Sequence, residues 1–139
     1  MVRVTRAIEF SASLRYRRGE LSDARNAELF GAGARQHGHN YRLEVTLRGE
    51  PDALTGMVMD LKDLQDLLDR EIMERFDHRD LNTDTPYFEK QPPTPENLAL
   101  VIYEILAEAV PDGLLDAIRL RQDATLWVEV SGDAAGARG

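Results

Sequence analysis

Three histidines carry whatever imidazole chemistry this chain performs, and there is no cysteine beside them. His37 and His39 flank Gly38. Residues two apart on a strand point the same way, so the two rings can converge on one cation. Zinc takes three or four protein ligands in a tetrahedral arrangement. Two are in hand, and a pair of polar residues at a strand start reads from the same letters. His78 follows Asp77. A carboxylate beside an imidazole suits general acid–base work near neutral pH, although Asp77, Asp80 and Asp84 also spell an Asp-rich turn. Arg15, Arg17, Arg18 and Arg35 flank one long loop. They form either a local anion site or a solvated face. Thr94 and Glu96 frame a proline, and helix capping explains both without any chemistry. The absent cysteine excludes disulfides, cysteine-ligated zinc and a thiolate nucleophile.

The elements that must position these groups follow from periodicity. Residues 2–10 alternate as a strand. The polar stretch from Leu14 to Arg35 reads as a long loop with a turn of helix over 22–29, capped by Ser22 or Asp23. Tyr41, Leu43, Val45 and Leu47 share one face of a second strand. Punctuation from Gly49 to Gly56 makes the turn, and Asp60 caps a helix carrying Leu61, Leu64, Leu68 and Ile72. Residues 77–93 are a second loop. Thr94-Pro95-Glu96 opens a helix that Pro111 and Gly113 end. Ile118, Leu120 and Gln122 share one face of a third strand, and Leu126, Val128 and Val130 one face of a fourth, around an Asp123-Ala124 turn. The order β-β-α-α-β-β predicts an α+β domain over residues 1–132, with two helices on one face of an antiparallel sheet. Residues 133–139 read as a flexible tail. The second sheet face needs cover, and oligomerisation supplies it.

Length and charge bound the rest. The chain has 139 residues and a formal charge of −8, which fits one domain and excludes general nucleic-acid binding. No apolar run approaches the roughly 20 residues that span a bilayer. No apolar signal core follows Met1. The expectation is a cytoplasmic protein with no membrane partner.

Taken in order, several short stretches resemble the 6-pyruvoyl tetrahydropterin synthase family, with its 6-carboxytetrahydropterin synthase relatives. They include Phe10-Ser11-Ala12-Ser13, Leu29-Phe30-Gly31, His37-Gly38-His39-Asn40-Tyr41, Thr55-Gly56-Met57-Val58-Met59-Asp60, Asp77-His78-Arg79-Asp80-Leu81-Asn82 and Thr94-Pro95-Glu96-Asn97. The likeness runs from about Val4 to Gly132. It implies the tunnelling fold (T-fold), in which subunits pair into a trimeric β-barrel and two trimers stack as a hexamer with sites between subunits. It also implies zinc on three histidines, a cysteine working with an Asp–His pair, a glutamate that anchors the pterin ring, and a reduced-pterin product from dihydroneopterin triphosphate, a carbon–oxygen lyase reaction.

Carried over residue by residue, the likeness departs at three places. The second and third zinc histidines fall on His37 and His39, but the first falls on Leu14. The cysteine, three places after Phe30, falls on Gly33. The pterin-anchoring glutamate falls on Gln122. Asp77 and His78 match the catalytic pair, and Thr94 and Glu96 match the substrate-side helix start. Arg15, beside Leu14, is a candidate for a phosphate or carboxylate on the ligand. Zinc is then expected to be weakened or absent. The leading expectation is a repurposed enzyme for a small pterin-like heterocycle. The alternatives are a non-catalytic ligand-binding or scaffolding paralogue and, ranked last, residual family activity.

Overall fold

Alternation decides the two long strands. In the computed structural model, which describes residues 1–132, β1 runs Val2–Leu14 and β2 runs His37–Gly49. They pair antiparallel along their whole length, from Val2 opposite Gly49 to Leu14 opposite His37. Ile8, Phe10, Ala12 and Leu14 are buried on one face of β1, and Tyr41, Leu43, Val45 and Leu47 on the same face of β2. Strand β4, Leu115–Asp123, pairs with β2, and β5, Leu126–Ser131, pairs with β4, both antiparallel. A two-residue strand β3, Arg79–Asp80, lies parallel to β1. The sheet order is β3-β1-β2-β4-β5. The expected fold class holds for the long elements, and β3 makes the sheet mixed.

Helix α1, Asp23–Phe30, is the helical turn expected in the first loop. Ser22, not Asp23, caps it, its hydroxyl accepting from the Arg25 N–H at 3.1 Å. Asn26 is buried, and its amide donates to the carbonyls of Arg18, Leu21 and Ser22. That one side chain folds the loop back onto the helix. Helix α2, Leu61–Leu68, starts at the Asp60 cap. It widens into a π-helical stretch, Asp69–Met73, before a last turn α3, Glu74–Phe76. Leu64, Leu68, Ile72 and Phe76 recur every four residues, and all four are fully buried. A strict 3.6-residue helix would drift off that face. The wider turn absorbs the drift and delivers Phe76 against Phe10, with ring centroids 6.0 Å apart. Helix α4, Pro95–Ala109, buries Leu98, Ala99, Ile102, Tyr103 and Leu106.

These helices and one sheet face share a single hydrophobic core. Each fully buried leucine contributes roughly 1.5–3 kcal/mol. The opposite sheet face carries Thr5, Arg42, Thr46 and Glu129, and Trp127 stays 46% exposed there beneath the Arg121 guanidinium. Among the described residues, no helix is long and apolar enough to cross a membrane. The expected tail at 133–139 lies outside the described residues.

Candidate functional site

His37 and His39 extend the buried face of β2 beyond Tyr41, where the core thins toward solvent. Their ring centroids are 5.2 Å apart, and His39 meets Tyr41 edge-on at 5.6 Å. Gly38 lies between them against β1: a Cβ there would stand 3.1 Å from the Ala12 carbonyl oxygen. The Nδ1–H of His37 donates to the Arg35 carbonyl at 2.7 Å. That bond fixes the tautomer and leaves Nε2 free, the arrangement a metal-binding or proton-accepting imidazole needs. Burial, then the nearby His37, lowers the His39 pKa against an opposing pull from Asp123. The neutral form of His39 is favoured.

Leu14 faces these rings. It pairs directly with His37 across the strands and is fully buried. An aliphatic side chain therefore fills the position from which β1 would present a third ligand. Among the described residues, no three His, Cys, Asp or Glu side chains are grouped to hold a metal ion. Two imidazoles do not complete a tetrahedral zinc shell, so the donor set does not fit the zinc that the resemblance implies.

Two buried polar atoms lack a hydrogen-bond partner among the described residues: the Tyr41 hydroxyl and Gln122 Oε1. Arg42 pairs with Arg121 and Leu43 with Leu120. Tyr41 and Gln122 are the residues that follow the Arg42–Arg121 pair at the end of that ladder. Burial, and secondarily the neighbouring Tyr16, push the Tyr41 phenol pKa well up, so it stays a hydrogen-bond donor. A buried polar atom without a partner costs about 1–3 kcal/mol.

Tyr16 and Glu96 close the rim. The Tyr16 ring stands edge-on to His37 at 5.7 Å, and its N–H donates to the Gly33 carbonyl at 2.7 Å. A Cβ on Gly33 would come within 2.7 Å of the Tyr16 ring. Tyr16 thus occupies the volume that a side chain at 33 would use. Burial, then the charge of Glu96 in the first turn of α4, raise the Tyr16 pKa. Thr94 caps α4, accepting from the Asn97 N–H at 3.1 Å. Sequence reasoning missed Tyr16 and Tyr41. The single signal for Tyr41 was its place two residues beyond His39.

The Asp77–His78 pair is formed, but elsewhere. Asp77 Oδ2 accepts from His78 Nδ1 at 2.9 Å. Its Oδ1 accepts from the Ser11 N–H at 3.0 Å, and the His78 N–H donates to the Ser11 carbonyl at 2.6 Å. The Ser11 bond, more than the His78 contact, holds the Asp77 carboxyl below its ordinary pKa against partial burial. His78 adopts φ 58°, the left-handed region that non-glycine residues rarely enter, and its side chain is 82% exposed. Such strain persists where surrounding bonds enforce it, often at functional sites. The bonds to Ser11 and Asp77 hold His78 there, and Asp80 ties down the loop that follows. Its carboxylate accepts from Ser13 Oγ at 2.9 Å, Gln36 Nε2 at 2.7 Å and Thr83 Oγ1 at 2.8 Å. His78 shares a shallow cleft with Ser11, Ser13, Asn40 and His39. No hydrogen bond or ring contact joins it to His37 or His39 among the described residues.

The four arginines divide. Arg15, Arg17 and Arg35 line one cleft with Tyr16, whereas Arg18 pairs with Glu20 outside it.

The family model for 6-pyruvoyl tetrahydropterin synthase matches residues 3–133. The 6-pyruvoyl tetrahydrobiopterin synthase of Pongo abelii is 44% identical over 119 residues, 84% of this chain and 82% of that protein. The Homo sapiens protein of the same description is 43% identical with the same coverage. The solved structure of Caenorhabditis elegans 6-pyruvoyl tetrahydropterin synthase superposes with a TM-score of 0.87 at 34% identity, covering 94% of this chain and 95% of the other.

Proposed function

The chain belongs to the 6-pyruvoyl tetrahydropterin synthase family, and from that premise we propose that it is a repurposed, lyase-type member acting in the cytoplasm on a small pterin-like heterocycle with altered ring recognition. The observation that carries this reading is the buried, unpartnered Oε1 of Gln122, together with the unpartnered Tyr41 hydroxyl. A carboxylate at position 122 would accept two hydrogen bonds from a ring edge that offers two N–H donors. Glutamine offers one acceptor and one donor. A ring edge that alternates N–H and acceptor satisfies it, whereas a two-donor edge leaves one donor facing another.

The residues divide the work. Gln122 and Tyr41 orient the ring, His37 and His39 form its wall, and Glu96 and Thr94 border the entrance. Asp77–His78 moves the proton: Nε2 of His78 exchanges it with the ligand while Asp77 holds Nδ1–H. Because that pair stands at the β1 edge, it serves a site shared with a neighbouring copy. A homo-oligomer of family type, a hexamer of two trimers, fits that geometry and covers the polar sheet face. Zinc supplies Lewis acidity where three ligands hold it. With Leu14 in place, it is held weakly or not at all, and no step is routed through it.

A non-catalytic, ligand-binding paralogue is the second reading, favoured by Leu14 and Gly33 at the two positions where the resemblance puts a metal ligand and a thiol. Calorimetry with neopterin separates wild type from Gln122→Glu. The expected result is tighter neopterin binding by the variant, by about tenfold for one restored charge-assisted bond. Equal affinities would overturn the altered-recognition reading. Proton exchange at the ligand, followed by deuterium uptake from D2O, separates enzyme from binding protein. His78→Gln abolishes the uptake in the first case, and no uptake by wild type supports the second.

A further inference from the structure

We propose that Tyr16 is a catalytic residue of the ring site, a phenol that gives its proton to a doubly bonded nitrogen or oxygen of the bound ring while His78 Nε2 removes one from the carbon beside that bond. Three contacts seat the phenol. Its ring stands edge-on to His37 at 5.7 Å and to Phe30 at 6.1 Å, and the Tyr16 N–H donates to the Gly33 carbonyl at 2.7 Å. The ring lies over Gly33, where a Cβ would stand 2.7 Å from its Cδ2 and 3.3 Å from its Cε2. Glycine at position 33 is therefore what admits the phenol to the His37 wall.

The hydroxyls that share the cleft of His39 and His78 are committed elsewhere. Ser11 Oγ donates to Asn40 Oδ1 at 2.6 Å, and Ser13 Oγ to Asp80 Oδ1 at 2.9 Å. The Tyr41 hydroxyl is buried, away from the water that would replace a lost proton. Tyr16 is half-buried, and among the described residues its hydroxyl has no hydrogen-bond partner. It keeps an O–H to give and a route to solvent. Burial, then the Glu96 charge, push its pKa up. The phenol is therefore protonated at pH 7, and a phenolate formed there readily takes a proton back.

The step balances. The C–H electron pair becomes the new carbon–carbon double bond. The π pair of the C=N or C=O bond takes the Tyr16 proton as an N–H or O–H bond, and the carbon's proton goes to His78 Nε2. Reversal in D2O returns a deuteron from His78 to the carbon and a proton to the phenolate. No oxidant or further reactant is consumed. In placing a ring between Tyr16 and a His78 imidazole, the inference rests on the heterocycle reading and the shared site above.

The test uses 7,8-dihydroneopterin as the probe. Wild type is compared with Tyr16→Phe and with Tyr87→Phe, which removes a hydroxyl bonded to Arg75 outside the site. Both variants keep their rings, and circular dichroism checks the fold. Deuterium uptake from D2O should fall at least about 100-fold in Tyr16→Phe, the low end for general acid–base catalysis, and stay within about twofold in Tyr87→Phe. Calorimetric affinity of Tyr16→Phe should stay within about tenfold of wild type, as for one neutral hydrogen bond. The carbon-13 resonance of Tyr16 Cζ should shift when wild type binds the probe. Unchanged uptake in Tyr16→Phe, affinity lost in step with uptake, or an unmoved Cζ resonance overturns the acid and leaves the enzyme reading standing. No uptake by wild type removes the enzyme reading and the acid with it.

Discussion

His37 and His39 are held by a strand, and His78 is held by a loop. The strand pair needs little besides alternation: two rings on one face, a glycine that lets β1 approach, and one backbone bond to fix a tautomer. The loop histidine needs a hub. Asp77 ties it to Ser11, Asp80 ties the loop to Ser13, Gln36 and Thr83, and the backbone is forced to φ 58°. The strand site is ringed by Leu14, Tyr16 and Tyr41, and the Tyr41 hydroxyl and Gln122 Oε1 are buried without a partner among the described residues. The loop site is polar and satisfied, with its imidazole open to solvent. Under the proposed function, the first recognises the ring and the second transfers a proton.

Restoring a ligand at the strand site should have the largest effect. Leu14→His places a third imidazole opposite His37. Metal analysis after dialysis should show zinc well below one per chain in wild type and about one in the variant, since three ligands plus water complete the shell. Full zinc in wild type would show that a ligand has been overlooked.

The loop site breaks through its hub. Asp80→Ala removes acceptors from three neighbouring side chains and should lower stability by about 2–3 kcal/mol at roughly 1 kcal/mol per bond. Hydrogen exchange should rise across residues 77–84 and remain low in β2. Protection lost equally in both regions would mean the two sites are not independently held.

Crowding the rim is a smaller perturbation. In Gly33→Ala the new Cβ meets the Tyr16 ring and should cost about 1–2 kcal/mol. Adding Tyr16→Ala should cancel most of that crowding term, read as coupling in a double-mutant cycle. Additive losses would contradict the shared volume.

Acid separates the two regions by the pH at which each loses its contribution, since all three groups are shifted downward. The His39 pKa is lowered by burial and by His37, so the folded state binds that proton less well than the unfolded chain. Stability should fall as pH drops below about 6.5, the ordinary histidine value. Asp77 is lowered by the Ser11 N–H. Asp80 is lowered by Thr83, Gln36 and Ser13 against its burial. Their contribution should persist to about pH 4 and be lost below it. Denaturant midpoints across pH 7.5 to 3 should show two steps, and His39→Gln should remove only the first.

The strand site was legible because a period of two is written in the letters. Tyr41, Leu43, Val45 and Leu47 fixed the face, and His37 and His39 followed on it. The helix caps at Asp60 and Thr94 were legible for the same local reason. Tyr16 was not. It lies in a loop whose course depends on Asn26 and on the absence of a side chain at Gly33, both contacts remote in sequence. Asp80 looked like a turn former, and its role as a hub depends on Ser13 and Gln36, far away along the chain. The π-helical turn after Leu68 was hidden too, although the four-residue spacing of Leu64, Leu68, Ile72 and Phe76 hints at it. The resemblance supplied the family. Only the register between β1 and β2 set Leu14 directly against His37.

Turnover of 7,8-dihydroneopterin triphosphate by the purified protein, supplied with zinc and followed by product chromatography, tests the altered site most directly. The expected result is no 6-pyruvoyl product above the uncatalysed background. A rate typical of a pterin synthase would contradict altered chemistry at Leu14, Gly33 and Gln122.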